Sequence, residues 1–493
     1  MKLKRSTIPS GHSFTDFESF GPPAIKDGEF TGTKIADFGY FSQDDVKSNK
    51  YYHACVCKSN KNSKWYTLFS WGKTGEPAFD YQFQEFETEL EAQKAYEKQC
   101  HKKNDKRGEW YEHPQLGKLL RPKKGQDCYL VRNMATRLSP LPDAKKIVSS
   151  TIQTGKASKT SKTDIKSMFD PETTKLLSDL KAGTISYAKS SFSSGSIPDI
   201  AAIQEARKIL SIAAKAPKKE LDELTKILYS KIPKRTYVGE TVELSSDNIK
   251  NWLDDLDAFE SALNSVESPQ EEISIRYSLR HVDKNQTLWY NINRLVESST
   301  RNRHSYLPGN IKVINIWEVT NFPQEFIDEQ ERVAKEFNGT IYPLIFQPER
   351  TDLEKKSNTQ LLFHGSRSTN IYSILENKFR LPQELSGVSI NGAINGSAIY
   401  HGLDYRKSAG YCSINNSYWA KGSGSINNRA AFMFLNHVIL GNSFVISQPR
   451  PQNNAPQGYH SVIADTKGSF QNEECMSYTT KYVYPKYLFE FSI

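Results

Sequence analysis

The chain has 493 residues, enough for about three domains at roughly 100–200 residues each. Apolar residues make up 37% of it and aromatics 12%, which excludes wholesale disorder, and no run of about 18 apolar residues offers a membrane span. The net charge of +9 is unevenly placed: residues 101–250 hold 29 basic and 17 acidic side chains, a net of +12, so the remainder sums to −3. Such an excess either attracts a polyanion such as nucleic acid or is a solubilising face or basic linker. Residues 1–14 are basic with no apolar run behind them, so no secretory signal is expected. The six cysteines, Cys55, Cys57, Cys100, Cys128, Cys412 and Cys475, form neither a CxxC pair nor a dense framework. That argues against a structural zinc site and a disulfide-stapled fold, and fits a reducing compartment.

In chain order, residues 1–45 mix Gly, Pro, Phe and balanced charge without a clear period and are expected as an irregular tail. Residues 46–135 read as a small α+β domain: residues 51–57 and 64–71 alternate as strands, and a helix follows with Leu90, Ala95, Tyr96 and Cys100 on one face. Residues 118–131 read as a basic turn and a closing strand. Residues 136–163 are rich in Ser, Thr and Lys and read as a flexible basic linker. Over 164–264, four helices are expected: Ile165, Met168, Phe169, Leu176, Leu177 and Leu180 mark the first, Ile200, Ile203, Ile209 and Leu210 the second. Leu221, Leu224, Ile227 and Leu228 mark the third, and Ile249, Trp252, Leu253, Leu256, Phe259 and Leu263 the fourth. Together they predict an all-α helical bundle. Residues 265–493 read as a mostly β domain, with a helix near 286–297 and short strands at 311–319, 360–364, 398–401, 431–440, 444–447, 461–464 and 476–493. The fold class is therefore multidomain α+β.

Three short segments of the last domain carry chemistry. They are residues 361–367 (LLFHGSR), Ala398-Ile399-Tyr400 followed by residues 407–411 (KSAGY), and Asn472-Glu473-Glu474. They resemble the His–Tyr–Glu signature of the poly(ADP-ribose) polymerase branch of the ADP-ribosyltransferases. LLFHGSRSTN, IYSILENKFRL, AIYHGLDYRKSAGYC, GYHSV and KYL follow in that family's order. Residues 164–264 resemble its regulatory helical domain, notably IKSMFD at 165–170 and the run through Ile232-Pro233. Residues 46–135 resemble its Trp-Gly-Arg (WGR) domain, with Trp71-Gly72-Lys73 at the signature. The likeness thus covers residues 46–493.

The residue types suit the chemistry this resemblance implies. Breaking the nicotinamide–ribose bond of NAD leaves oxocarbenium-like charge on the ribose, which calls for a nearby carboxylate, groups that fix the ribose, and an aromatic slot for nicotinamide. His364 can pair with ribose hydroxyls, and Tyr400 and Tyr411 can sandwich a flat ring. Gly365 admits a ligand amide to bare backbone, Ser408 can hold the same amide, and Glu474 supplies the carboxylate. Glu473 is its neighbour, and on a strand only one of the two can enter the pocket. Glu474 is preferred because its spacing to Lys486-Tyr487-Leu488 fits the family's spacing. The resemblance further implies that Glu474 orients the acceptor hydroxyl, with Ser366 and Arg380 at the adenosine end and Lys407 near Glu474. NAD is thereby the substrate, and no metal is called for.

Two departures bear on polymer length and branching rather than on NAD cleavage. The interval from His460-Ser461-Val462 to Glu474 is short for the family's nuclear polymerases, and the acceptor-side loop with Pro449, Pro451 and Pro456 diverges. On the DNA side, Trp71 offers a flat face for a base or sugar, Gly72 lets backbone approach phosphate, and Lys73 gives a point contact where arginine would be bidentate. Lys102, Lys103, Lys106, Arg107, Lys118, Arg121, Lys123 and Lys124 add charge. The expectation is a monomeric, DNA-strand-break-dependent poly(ADP-ribose) polymerase acting on proteins, itself included. The alternatives are single ADP-ribose transfer on the same fold, or a DNA-end-binding scaffold with a decayed catalytic domain. A nuclear location is expected in a eukaryote, with LRPKK or HKKNDKR as import signals, and a cytoplasmic or nucleoid one in a bacterium or virus.

Overall fold

The computed structural model of the protein describes residues 2–3, 12–14, 25–41, 50–73, 80–104, 106–132, 169–192, 198–232, 234, 242–267, 275–299, 310–339, 349–381, 395–414 and 430–493. The expected linker at 136–163 and part of the tail lie outside them, as do Ile165, Met168 and Pro233. The chain divides into two compact units, one of residues 1–143 and 185–267, the other of 144–184 and 268–493.

The first unit is built on a sheet of β1 (Lys2–Leu3), β2 (His12–Phe14), β3 (Ile25–Phe41), β4 (Lys50–Ser59), β5 (Trp65–Lys73) and β6 (Asp80–Phe86). Its order is β1-β6-β5-β4-β3-β2, and β9 (Cys128–Arg132) also pairs with β3. Residues 25–41 are therefore not irregular. Gly28, Gly32 and Gly39 dilute their strand signal, yet non-local pairing with β4 and β9 supplies their backbone hydrogen bonds. Helix α1 (Glu89–Lys103) starts at a capping box of Thr88 and Glu91. It packs on β4 and β5 over Tyr52, Ala54, Val56 and Phe69, with Trp71, Cys100 and Tyr129 partly buried at the margin. Its buried residues are Ala92 and Tyr96, whereas Leu90, expected on that face, is 61% exposed: it sits in the first turn, before the helix meets the sheet. A hairpin of β7 (Gly108–His113) and β8 (Gly117–Pro122) follows.

Four helices occupy the stretch expected to be helical: α2 (Pro171–Ser191), α3 (Ile200–Ala213), α4 (Lys218–Lys231) and α5 (Ser246–Glu267). The compact units divide this stretch inside α2, between Thr184 and Ile185. In the first unit, Ile203, Leu210, Leu224, Leu228, Leu256 and Phe259 are buried at helical spacing. Two buried charge clusters accompany them: Asp255 takes Tyr187 and Lys234, and Arg207 reaches Asp257 at 2.6 Å and Glu260 at 2.8 Å.

The second unit holds β10 (Leu279–His281), α6 (Thr287–Ser298), β11 (Lys312–Val319), α7 (Gln324–Glu336), α8 (Asp352–Lys356), β12 (Thr359–Gly365), α9 (Ser368–Asn377), β13 (Ile399–Gly402) and α10 (Tyr405–Ala409). After these come β14 (Ala431–Ile439), β15 (Ser443–Ile446), β16 (Ser461–Ala464), β17 (Glu474–Ser477) and β18 (Val483–Ser492). The sheet order is β10-β11-β18-β14-β12-β13-β17-β16-β15. The run read as one strand over 476–493 is two, because a 3-10 turn at Thr480–Tyr482 carries the chain from β17 to β18. Strand β14 is buried along its whole length, and its alternate residues feed two cores: Phe432 and Phe434 join one, Met433 and Leu435 the other.

The first half of α2 belongs to this unit. Phe169, Leu176, Leu177 and Leu180 are buried in the same core as Tyr372, Leu375 and Leu488. Asp170 accepts from the backbone of Thr173 at 2.7 Å and from the backbone of His281 at 3.0 Å, tying the helix start to β10. The Thr184 hydroxyl donates to the Thr369 carbonyl in α9 at 2.9 Å.

Candidate active site and nucleic-acid face

The three signature residues fall at the ends of neighbouring strands. His364 is near the end of β12, Tyr400 in β13, and Glu474 opens β17. Strand β13 pairs with β17 so that Tyr400 faces Met476 and Gly402 faces Glu474, which puts Tyr400 and Glu474 on one face of the sheet. His364 joins them through a 2.9 Å contact between its Nδ1 and the Tyr400 carbonyl oxygen. Its ring is set edge-on by Phe379, at 4.9 Å between centroids, and lies 5.6 Å from the ring of His401.

Lys407, on α10, reaches Glu474 Oε1 at 2.7 Å, and both side chains are mostly buried, 13% and 17% exposed. Its ammonium also lies 5.7 Å from the Tyr411 ring centre. Burial pushes the Tyr400 hydroxyl far above its ordinary pKa, with Tyr478, Glu474 and Tyr411 adding to the rise, so it stays a neutral phenol at any working pH. The site thus gathers a histidine, two tyrosines, a lysine and a carboxylate. Glu473 lies just ahead of β17, partly exposed.

Two residues of the predicted site are also engaged within the protein. The Ser408 hydroxyl donates inward to the Phe363 carbonyl at 2.9 Å, so it braces α10 against β12. At Gly365 the bare backbone answers a neighbour in the protein itself: a Cβ there would lie 1.8 Å from the Ser408 carbonyl oxygen. Beneath them Cys412 is buried, its thiol pushed up to about 12 by burial. Ser366 and Arg380 are both partly buried; Ser366 follows Gly365, and Arg380 follows the Phe379 that packs on His364.

Sequence reading missed the residues behind Tyr400. Its hydroxyl donates to the Gly396 carbonyl at 2.8 Å and accepts from the Asn395 backbone at 3.2 Å. The Asn395-Gly396 dipeptide just upstream of Tyr400 is a turn signal that could have drawn attention to them. His401 was missed too. It is 1% exposed, meets the Asn436 amide at 3.2 Å, and burial then His364 hold its pKa well below the ordinary imidazole value.

On the first unit, Trp71-Gly72-Lys73 closes β5. Trp71 is half-buried and stacks on Tyr52 with ring centres 5.9 Å apart and planes at 16°, so Tyr52 backs the indole. The Lys103 ammonium lies 4.5 Å from the Tyr52 ring centre, 5.8 Å from that of Trp71 and 5.6 Å from that of Tyr129. Burial, then Arg107 and Lys102, lower its pKa. Lys73 is exposed, as are Lys102, Lys106, Lys118, Arg121, Lys123 and Lys124. Trp110 is 56% exposed with Lys118 at 5.4 Å from its ring centre, while Tyr111 beside it donates to Glu223 on α4 at 2.7 Å.

The mostly antiparallel sheet thus carries a histidine, a tyrosine and a glutamate on three adjacent strands, β12, β13 and β17. The family model of the poly(ADP-ribose) polymerase catalytic domain matches residues 289–485, and that of the WGR domain matches residues 39–115. Residues 289–485 thus carry a poly(ADP-ribose) polymerase catalytic domain, and residues 39–115 a WGR domain. The chain is similar to a poly [ADP-ribose] polymerase of Drosophila melanogaster, 23% identical over 447 residues that span 85% of this chain and 39% of the fly protein. It is also similar to poly [ADP-ribose] polymerase 1 of Gallus gallus, 32% identical over 106 residues, 21% of this chain and 9% of the chicken protein. The chain therefore spans well under half the length of these curated relatives. Among the described residues no helix is long and apolar enough to cross a membrane.

Proposed function

We propose that the protein is a DNA-strand-break-dependent poly(ADP-ribose) polymerase that cleaves NAD at the nicotinamide–ribose bond. It then transfers ADP-ribose to protein acceptors, itself among them, and to growing chains. The observation that carries this reading is the placement of His364, Tyr400 and Glu474 on three adjacent strands, with His364 Nδ1 2.9 Å from the Tyr400 carbonyl oxygen and Lys407 on the glutamate at 2.7 Å. Tyr400 and Tyr411 hold the nicotinamide ring, His364 fixes the ribose, and the backbone of Gly365 pairs with the carboxamide. Nicotinamide leaves as a neutral molecule, and the carboxylate of Glu474 stabilises the charge left on the ribose. The acceptor hydroxyl attacks the ribose carbon as its proton passes to Glu474, whose Oε1 is steadied by Lys407. Ser366 and Arg380 serve the adenosine end. Ser408 acts by bracing α10.

Residues 46–135 serve as the DNA-binding domain, 136–163 as a linker, 164–264 as the regulatory helical region and 265–493 as the catalytic domain. DNA meets Trp71, Gly72, Lys73 and the basic residues around them. The bond from Tyr111 to Glu223 supports a route from the β7–β8 hairpin to α4, by which DNA binding loosens the helices and admits NAD. The protein acts as a monomer, in the nucleus of a eukaryotic host or in the cytoplasm or nucleoid of a bacterial or viral one. A second reading, single ADP-ribose transfer, is favoured by the short connection of residues 465–473 between β16 and β17. The deciding experiment is incubation with labelled NAD, with and without nicked DNA. Stimulated nicotinamide release and a smear of products on a gel are expected. Equal rates would remove the DNA gate, a sharp band would favour single transfer, and no release at millimolar NAD would leave a DNA-binding scaffold.

A further inference from the structure

We infer that Asn395 is a positioning residue: it ties the acceptor-side loop around Arg450 and Gln452 to the hydroxyl of Tyr400, so that the loop sets the angle of the ring that stacks on nicotinamide. The inference deepens the NAD reading and rests on it for the role of Tyr400.

The connections are continuous. The Tyr400 hydroxyl is held by the backbone of two residues, Gly396 at 2.8 Å and Asn395 at 3.2 Å. Both are locked to the loop. Asn395 is 2% exposed; its side-chain oxygen accepts from the Arg450 backbone at 3.2 Å, and its carbonyl accepts from the Gln452 backbone at 3.4 Å. The Tyr478 hydroxyl donates to that same carbonyl at 2.7 Å, and the Gln452 side chain reaches the Tyr478 hydroxyl at 3.3 Å. Gly396 bridges to Gln452 at a φ of +94°, and a Cβ at that position would lie 1.7 Å from the Gln452 carbonyl oxygen. Only glycine adopts this backbone at this separation without strain.

A buried amide that loses its partners is costly, so the network favours one joint arrangement of loop and hydroxyl. The loop follows β15 and carries Pro449 and Pro451, so it has little freedom to relax around a misplaced Asn395. A protein acceptor pressing on the loop therefore changes how tightly nicotinamide is held, and by linkage nicotinamide changes how the acceptor is held.

The test compares the full chain with Asn395→Leu, Tyr400→Phe and the double variant, with Gly396→Ala as an independent lesion of the same link. Nicotinamide inhibition and the KM for NAD are read against kcat, and hydrogen exchange is followed over residues 395–402 and 445–455. Asn395→Leu and Gly396→Ala should each weaken nicotinamide by about five-fold, the worth of one hydrogen bond. In the Tyr400→Phe background Asn395→Leu should add less than about two-fold, since the hydroxyl it acts through is gone. Exchange should quicken in both segments. Equal losses in both backgrounds, or quickening confined to 395–402, would overturn the inference. Complete failure to release nicotinamide would count against the NAD reading alone, because the exchange measurement still decides whether loop and tyrosine are linked.

Discussion

Glu474 and Lys407 form a mostly buried pair, so removing one charge leaves the other uncompensated. Glu474→Gln keeps the shape and discards the charge. It should shorten product chains at least about ten-fold while nicotinamide release falls less, measured by gel and by released nicotinamide. Lys407→Met should depress both to a similar degree, because the glutamate loses its fixed orientation. The buried imidazoles give a pH prediction. His53 and His437 are lowered to about 3 by burial, and His401 is also held well below the ordinary value of 6.5. Their folded-state pKa lies under the unfolded one, so the unfolded chain takes up more protons in the window between about 6.5 and about 3. Stability is full above that window and is lost as pH falls through it, by about 2 kcal/mol for each of His53 and His437 at pH 5, with His401 acting in the same direction. The melting temperature should drop between pH 7 and pH 5, and His401→Phe should shrink that drop. The sequence made His364, Tyr400 and Glu474 legible because their neighbours are distinctive strings. His401 and Asn395 were hidden because their partners, Asn436 and Gln452, lie 35 and 57 residues away with no local pattern to join them.

At the scale of elements, helix α2 decides how the catalytic unit can be isolated. A chain beginning near Leu263 would strip Leu176, Leu177 and Leu180 from the core they share with Tyr372 and Leu375. Each buried leucine is worth about 2–5 kcal/mol against alanine, so Leu177→Ala alone should lower the melting temperature of the catalytic unit markedly. A variant that keeps residues 164–190 and replaces 191–262 with a flexible Gly/Ser linker should stay folded. If the helices are inhibitory it should release nicotinamide without DNA; a folded but silent variant would make them structural. Periodicity revealed that residues 171–191 are helical, but not which core its leucines join, since an apolar stripe does not name the surface that covers it. Strand β3 escaped for a related reason: its glycines weaken local propensity, and its partners β4 and β9 decide its conformation from a distance.

For the whole molecule, charge is the governing quantity. Exposed lysines and arginines gathered along 102–124 should give DNA binding that ignores sequence and weakens steeply with salt. Lys123→Glu with Lys124→Glu should reduce the slope of log affinity against log salt by about one for each phosphate no longer neutralised, measured by fluorescence anisotropy on a nicked duplex. A slope unchanged by both substitutions would place the DNA elsewhere on the surface.

Of the six cysteines, five are fully buried and Cys100 is half-buried, on α1 beside the aromatic group of Tyr52, Trp71 and Tyr129. A maleimide dye offered to the folded protein would therefore attach there first. The native chain thus comes with a single addressable anchor for an optical reporter, a few side chains away from the indole assigned to DNA.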